Sequence, residues 1–185
     1  MESIQVSFKE VLKKALNFFE EHGIHYVLFG AWAVNYWGQP RSTQDFDFLV
    51  LLSEEDFEKL KQKLKNLSSF QMDLEWHKHN PMITKRHARF TCHNVIVDIT
   101  LPRDEHDEAV LKRRIKRDMS GIPLYVLTPE DSILQKLKTG RPKDFDDALS
   151  VFIKQKENID FNYLRSWAKK LGIYEELNWL FTKVK

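Results

Sequence analysis

Cysteine is almost missing: Cys92 is the single one in 185 residues. This excludes a disulfide framework and any zinc site of the CxxC kind, and it fits a reducing, cytoplasmic setting. Long apolar runs are missing too. No segment approaches the roughly 18 to 20 apolar residues that a bilayer span needs. Met1–Glu10 lacks a basic-then-apolar leader, so no membrane partner is expected. An excess of one charge is also lacking, the net charge being +2 from 29 Lys and Arg against 27 Asp and Glu. That excludes a surface that coats itself with polyanion over its whole extent, and any nucleic-acid contact has to be local. Hydrophobic residues at 42% and aromatics at 12% suffice for one substantial core, or for one domain with a small helical appendage.

The pattern along the chain alternates and contains no internal repeat. Ser7–Glu21 carries Phe8, Val11, Leu12, Ala15, Leu16 and Phe19 at helical spacing, and Gly23 stands where a C-terminal cap belongs. Tyr26–Phe29 reads as a short buried strand, Trp32–Trp37 as a short helix and Phe46–Leu52 as a second strand. Ser53 opens a capped amphipathic helix with acidic residues in its first turn. Strands are expected at Met72–His77, Arg86–Cys92 and Val95–Leu101, the last two joined by the turn-like pair His93-Asn94. Asp104–Arg117 reads as a helix and Pro123–Leu127 as a strand. From Thr128 the pattern is helical, with Pro129, Pro142 and Gly172 punctuating helices near 129–139, 142–156, 160–171 and 173–183. The expectation is an α+β fold: a mixed β-sheet flanked by helices over residues 1–127, and a helical C-terminal region over 128–185 packed on it.

Within FGAWAVNYWGQPRSTQDFDFLV, two aspartates interrupt a run ready for burial. Residues two apart on a strand share a face, so Asp45 and Asp47 present carboxylates about 6 to 7 Å apart along it. Unpaired, such charges repel and are costly to bury. Divalent cations cancel that cost, since Mg²⁺ takes hard oxygen ligands and a metal pair can clamp a phosphoryl group during in-line displacement. A third carboxylate from a neighbouring strand is needed, and Asp98 in VIVDIT interrupts an otherwise β-branched run. Gly30 falls between a strand and a short helix, where the missing Cβ lets backbone approach a ligand and helix-start N–H groups attract phosphate.

Gly30-Ala31, then Asp45-Phe46-Asp47, with Asp98 on a later strand, resembles the nucleotidyltransferase superfamily that includes DNA polymerase β and the aminoglycoside nucleotidyltransferases. The longer string, with LTPEDSILQKLKTGRPKDFDDALSV, resembles a narrower branch that includes the abortive-infection and related toxin nucleotidyltransferases; the match spans roughly residues 24 to 152. The resemblance implies that Gly30 and Ala31 meet the triphosphate of an incoming NTP and that Asp45 and Asp47 ligate two Mg²⁺ ions, for which Mn²⁺ can substitute. Asp98 would hold one metal and help activate the attacking hydroxyl. Ala31 departs from the Gly or Ser usual in the family, which removes a hydroxyl contact but keeps the backbone N–H. The product would be an NMP-modified acceptor plus pyrophosphate. An RNA 3′ end, a protein hydroxyl and a small molecule remain open as acceptors; the toxin-like resemblance and a basic run point to tRNA, and imply a cognate antitoxin. The alternative is a non-catalytic nucleotide- or partner-binding module of the same fold.

Lys136, Arg141 and Lys143 gather at a helix junction and suit a triphosphate, Arg141 by bidentate contacts and Lys136 as a point charge. Otherwise, Lys136 and Lys143 are solvated and Arg141 pairs with Asp144 or Asp146; the resemblance favours nucleotide binding. Arg41 and Thr43 either orient substrate or hold the loop, Arg41 by pairing with Asp45 or Asp47. Trp32, Tyr36 and Trp37 read as core more than as a base-stacking face. Lys112–Arg117 holds five cations in six residues, which fits either an RNA phosphate contact or the dipole-matched end of a helix. His77-Lys78-His79 has no Cys partner and reads as surface histidines more than as a zinc site.

Overall fold

Alternation in DFDFLV decides which way the central strand faces. In β2 (Asp45–Val50) Phe46 and Phe48 are fully buried, whereas Asp45 and Asp47 lie on the opposite, partly open face. The first helix, α1 (Glu2–Glu21), covers the phenylalanines: the Phe8 ring lies 6.0 Å from that of Phe46, and Phe19 lies 5.1 Å from Phe48, both edge-on. The computed structural model describes residues 2–183, with side chains from residue 8 onward.

Chain order sets β1 (Tyr26–Leu28) and α2 (Gly30–Trp37) before β2, then α3 (Glu54–Lys65), β3 (Gln71–Met72), α4 (Leu74–His79), β4 (His87–Cys92), β5 (Val95–Thr100) and α5 (Glu105–Arg113). A hairpin of β6 (Ile115–Asp118) and β7 (Pro123–Val126) follows. Among the described residues these strands form one sheet in the order β3, β4, β5, β2, β1, β7, β6. It is mixed, because β2 runs antiparallel to β1 and parallel to β5, while β1 runs parallel to β7. The α+β expectation therefore holds. His93 and Asn94 turn β4 into β5 with φ of 49° and 64°, as a two-residue hairpin requires.

The C-terminal helices are α6 (Pro129–Thr139), α7 (Pro142–Gln155), α8 (Phe161–Leu171) and α9 (Tyr174–Thr182). Thr128 accepts from the Asp131 N–H at the start of α6, and Gly140 ends it in a left-handed cap, φ 72°. Buried residues of these helices and of the sheet belong to one hydrophobic cluster. A buried polar knot adds to it: Asp131 accepts from Tyr163 Oη at 2.7 Å and Thr128 Oγ1 at 2.9 Å, and lies 3.2 Å from His106 Nε2. These bonds tie α5, α6 and α8 together. No described helix is long and apolar enough to cross a membrane.

Two segments differ from expectation. Met72–His77 is not a strand: pairing with β4 covers only Gln71–Met72, and Asp73 then caps α4 by accepting from the Trp76 N–H at 2.9 Å. The helical turn swings Trp76 under Arg89, 4.9 Å from its ring centre, and against His87 at 4.7 Å. His77 and His79 thus share no strand face, and His77 Nε2 instead accepts from the Arg89 backbone N–H. Nor does Asp104–Arg117 form one helix. It stops at Arg113, and Arg114 is extended, φ −50° and ψ 143°. Ile115 packs on the core, and residues 115–118 pair with β7. Pairing and burial of Ile115 outweigh the helix-like charge pattern. Trp37 is buried, and Trp32 stacks on Phe46 at 4.9 Å, so that aromatic group serves the core.

Candidate active site

Three strands bring the charges together. Parallel pairing sets Asp47 opposite Asp98, and antiparallel pairing sets Asp98 opposite Arg89, forming a row across β2, β5 and β4. Ligand atoms of Asp45, Asp47 and Asp98 all lie within 4.8 Å of one another. These hard oxygen donors fit a divalent cation. The surroundings leave the charge uncompensated on one side. Burial, then the charges of Asp45 and Asp98, push the Asp47 carboxyl up to about 7. Asp98 behaves oppositely. Burial pushes it up, but hydrogen bonds from His87 and Arg89 outweigh burial and hold it below the usual carboxylate range. Arg89 donates to both carboxylate oxygens, at 2.9 Å from Nε and 2.7 Å from Nη2, and His87 Nε2 lies 3.1 Å from Oδ1. Thr43 Oγ1 donates to Asp45 and fixes that carboxylate.

Gly30 starts α2 directly above this row. Its φ is 64°, and a Cβ placed there would lie 2.0 Å from Asp47 Oδ2, so only glycine fits. The Phe29 N–H donates to the Asp47 carbonyl at 3.0 Å, locking the turn to β2. Gly30 and Ala31 line one side of a cavity of about 660 Å³ that also contains the three aspartates, Arg41, Thr43, Lys136, Arg141 and Lys143. Each residue that the sequence assigned to metal, nucleotide or substrate orientation therefore borders one space, whereas the basic run at 112–117 does not.

The partners of Arg41 and Lys136 differ from the sequence expectation, whereas that of Arg141 is one of the two it allowed. Arg41 pairs with neither Asp45 nor Asp47 but forks onto Asp147, at 2.8 Å from Nε and 2.9 Å from Nη2. Lys136 is buried rather than solvated, held 3.1 Å from Asp144 and 2.8 Å from Asp147. Arg141 reaches Asp144 at 2.6 Å, yet its side chain stays 57% exposed toward the cavity. Asp147, Arg89 and His87 are site residues that sequence reasoning missed, and Asp144 entered it only as an alternative partner of Arg141. The second string carried a usable signal for both aspartates, since KDFDD places Asp144 and Asp147 one helical turn apart on α7.

The network makes a stability prediction. Lys136→Ala would leave Asp144, fully buried, and Asp147 short of a countercharge, at a cost of about 3 kcal/mol. Thermal unfolding should fall by roughly 6 to 12 °C at neutral pH. Hydrogen bonding to cations holds both carboxyls below their usual range against the burial that raises them, so their contribution is full above that range and fades on acidification. The wild type and Lys136→Ala should therefore converge in stability as the pH falls below the ordinary carboxylate range. An unchanged melting temperature at pH 7 would show that Lys136 is not the countercharge.

Solved structures share this fold. The antibiotic-resistance factor ANT(2″)-Ia, in complex with adenylyl-2″-tobramycin, superposes with a TM-score of 0.60 at 14% identity, over 87% of this chain and 96% of that one. An antigenic nucleotidyltransferase-like protein from Paracoccidioides brasiliensis gives 0.58 at 15% identity, over 95% and 92%. The lincosamide antibiotic adenylyltransferase LnuA, lincomycin-bound, gives 0.52 at 15%, over 76% and 93%. No curated protein matches the chain. The model of the family described as nucleotidyltransferase of unknown function (DUF6036) matches residues 7–181, nearly the whole chain with every carboxylate of the cavity inside it, and the protein belongs to that family of nucleotidyltransferases.

Proposed function

We propose that this nucleotidyltransferase moves an NMP from an NTP to an acceptor hydroxyl, with Mg²⁺ held by Asp45, Asp47 and Asp98. The observation that carries the reading is the convergence of three carboxylates within 4.8 Å beneath a glycine-started helix, inside one cavity. Bound there, divalent metal supplies positive charge to the reacting phosphoryl group and eases loss of the hydroxyl proton. Residues of the chain do the rest. Backbone N–H groups at Gly30 and Ala31 receive phosphate oxygens, the alanine contributing no hydroxyl. From the facing wall Arg141 and Lys143 bind the outer phosphates, with Lys136 behind them as a fixed charge. Thr43 and the Arg89–His87 pair orient Asp45 and Asp98, and Arg41 ties the loop before β2 to α7. Replacing Arg141 with Ala should weaken binding of a non-hydrolysable NTP about 10- to 100-fold, measured by calorimetry.

An RNA 3′ end, tRNA included, is the acceptor to which the toxin-like resemblance points, with an antitoxin as the partner that a toxin would need. The basic run at 112–117 lends this little support. None of its residues lines the cavity. Arg113 lies 3.7 Å over the Tyr163 ring and 3.5 Å from Glu130, and Arg114 lies 4.5 Å over Tyr125, so both serve packing. The deciding experiment incubates the protein with each α-labelled NTP, Mg²⁺ and either total RNA or cell lysate. Magnesium-dependent label on an acceptor is expected, and no label with any NTP would refute the reading.

A further inference from the structure

We infer that the acceptor bears phosphate next to its hydroxyl, and that Arg86 and Arg103 grip that phosphate while Met82 and Ile83 take the apolar face beside it. This rests on the transfer reading above. In-line displacement puts the attacking and leaving oxygens on opposite sides of the phosphorus. The leaving pyrophosphate belongs with Gly30 and the cations of α6 and α7, so the acceptor enters from the β4 and β5 side, past Asp98. The wall there is distinctive. Met82 and Ile83 are 92% and 45% exposed, unusual for large apolar side chains beside a polar cavity. Arg86 and Arg103 stand next to them, half exposed and lining the same space.

Both arginines are braced and keep donors to spare. Arg103 uses Nε and Nη2 on Asp107, at 2.8 and 3.3 Å, which leaves Nη1. Arg86 donates to the Pro102 carbonyl, immediately before Arg103 in the chain, and makes only an exposed 3.3 Å pair with Glu54, which leaves Nε. Anchored arginines with spare N–H groups match phosphate oxygens. A cationic acceptor finds nothing here. Apart from the three aspartates, the cavity lining contains no carboxylate, and seven Lys and Arg side chains border it. Asp107 is fully buried and already occupied by Arg103 and Gln135.

The test measures binding of two phosphate-bearing probes to the Mg²⁺ and non-hydrolysable-NTP complex: a short single-stranded RNA with a free 3′-hydroxyl, and a nucleoside 5′-monophosphate. Tobramycin serves as the polycationic probe. At least one phosphate probe should bind, and Arg86→Gln should weaken it about tenfold or more without changing NTP affinity or melting temperature. Tight binding of RNA alone identifies a polynucleotide end, and equal binding of the monophosphate identifies a small phosphorylated acceptor. Arg103→Lys, which keeps a charge for Asp107 but loses the fork, should show the same loss and guards against a folding defect in other Arg103 variants. The inference is overturned if neither phosphate probe binds, if both variants bind normally, or if tobramycin binds in preference. NTP affinity is read in the same samples, so its absence would point to failure of the transfer reading, whereas intact NTP affinity with no phosphate-probe binding defeats this inference alone.

Discussion

Asp45→Asn, Asp47→Asn and Asp98→Asn should each cut nucleotide transfer by at least about 10²- to 10³-fold, the scale of losing several kcal/mol of charge stabilisation at a reacting phosphoryl group. Their effects on stability should differ in sign. Asp47 is crowded by burial and by two like charges, with its carboxyl near 7, so the neutral isostere relieves repulsion and should raise the melting temperature in chelator. Asp98 is the counterion of Arg89 and a hydrogen-bond partner of His87, so Asp98→Asn strips the buried side of that cluster and should lower it. Magnesium supplies the second readout. At about 100 times its dissociation constant a ligand adds about 2.7 kcal/mol, worth roughly 5 to 10 °C here, and the three variants should lose that increment. Full activity in Asp98→Asn would remove Asp98 from the ligand set and leave it a partner for Arg89.

The difference between Asp47 and Asp98 shows where a sequence stops informing. DxD in one strand and a lone Asp in VIVDIT are local patterns, because a two-residue period fixes the face and only a functional demand puts carboxylates on it. TPED and TG around α6 are legible for the same reason: caps are decided within one turn. What escapes is the pairing of residues far apart in the chain. Arg41 meets Asp147 across 106 positions, and nothing near Arg41 distinguishes that partner from Asp45. For Lys136 the sequence leaves a triphosphate contact or a solvated side chain open, while the fold buries it between two aspartates of the next helix. At Arg114 the local signal misled. Acid at the start and base at the end of 104–117 fit a helix dipole, yet the edge of the sheet was short of a strand and took Ile115 onward.

Gly30→Ala should be as damaging to activity as Asp47→Asn, although it leaves every carboxylate in place. Two costs act together. A left-handed φ of 64° strains an alanine by about 1 kcal/mol. The added methyl would also lie 2.0 Å from Asp47 Oδ2, 2.8 Å from its Cγ and 3.1 Å from its Cβ, so the whole side chain has to yield, not only its tip. Asp47 sits in the middle of β2, its carbonyl bonded to the Phe29 N–H on one side and its backbone paired with β5 on the other, and the backbone has nowhere to go. Its carboxylate must therefore rotate out of the cluster, and magnesium should no longer raise the melting temperature. Gly121→Ala separates the two costs. Gly121 has φ 81° in the β6–β7 turn, with nothing within 4 Å of an added Cβ, so it carries the strain without the clash. It should lose only the stability that the strain costs, about 1 kcal/mol, while keeping full activity and its magnesium response. Were Gly30→Ala to behave like Gly121→Ala, Asp47 would have room to retreat and still bind metal, and the glycine would be required for its turn alone.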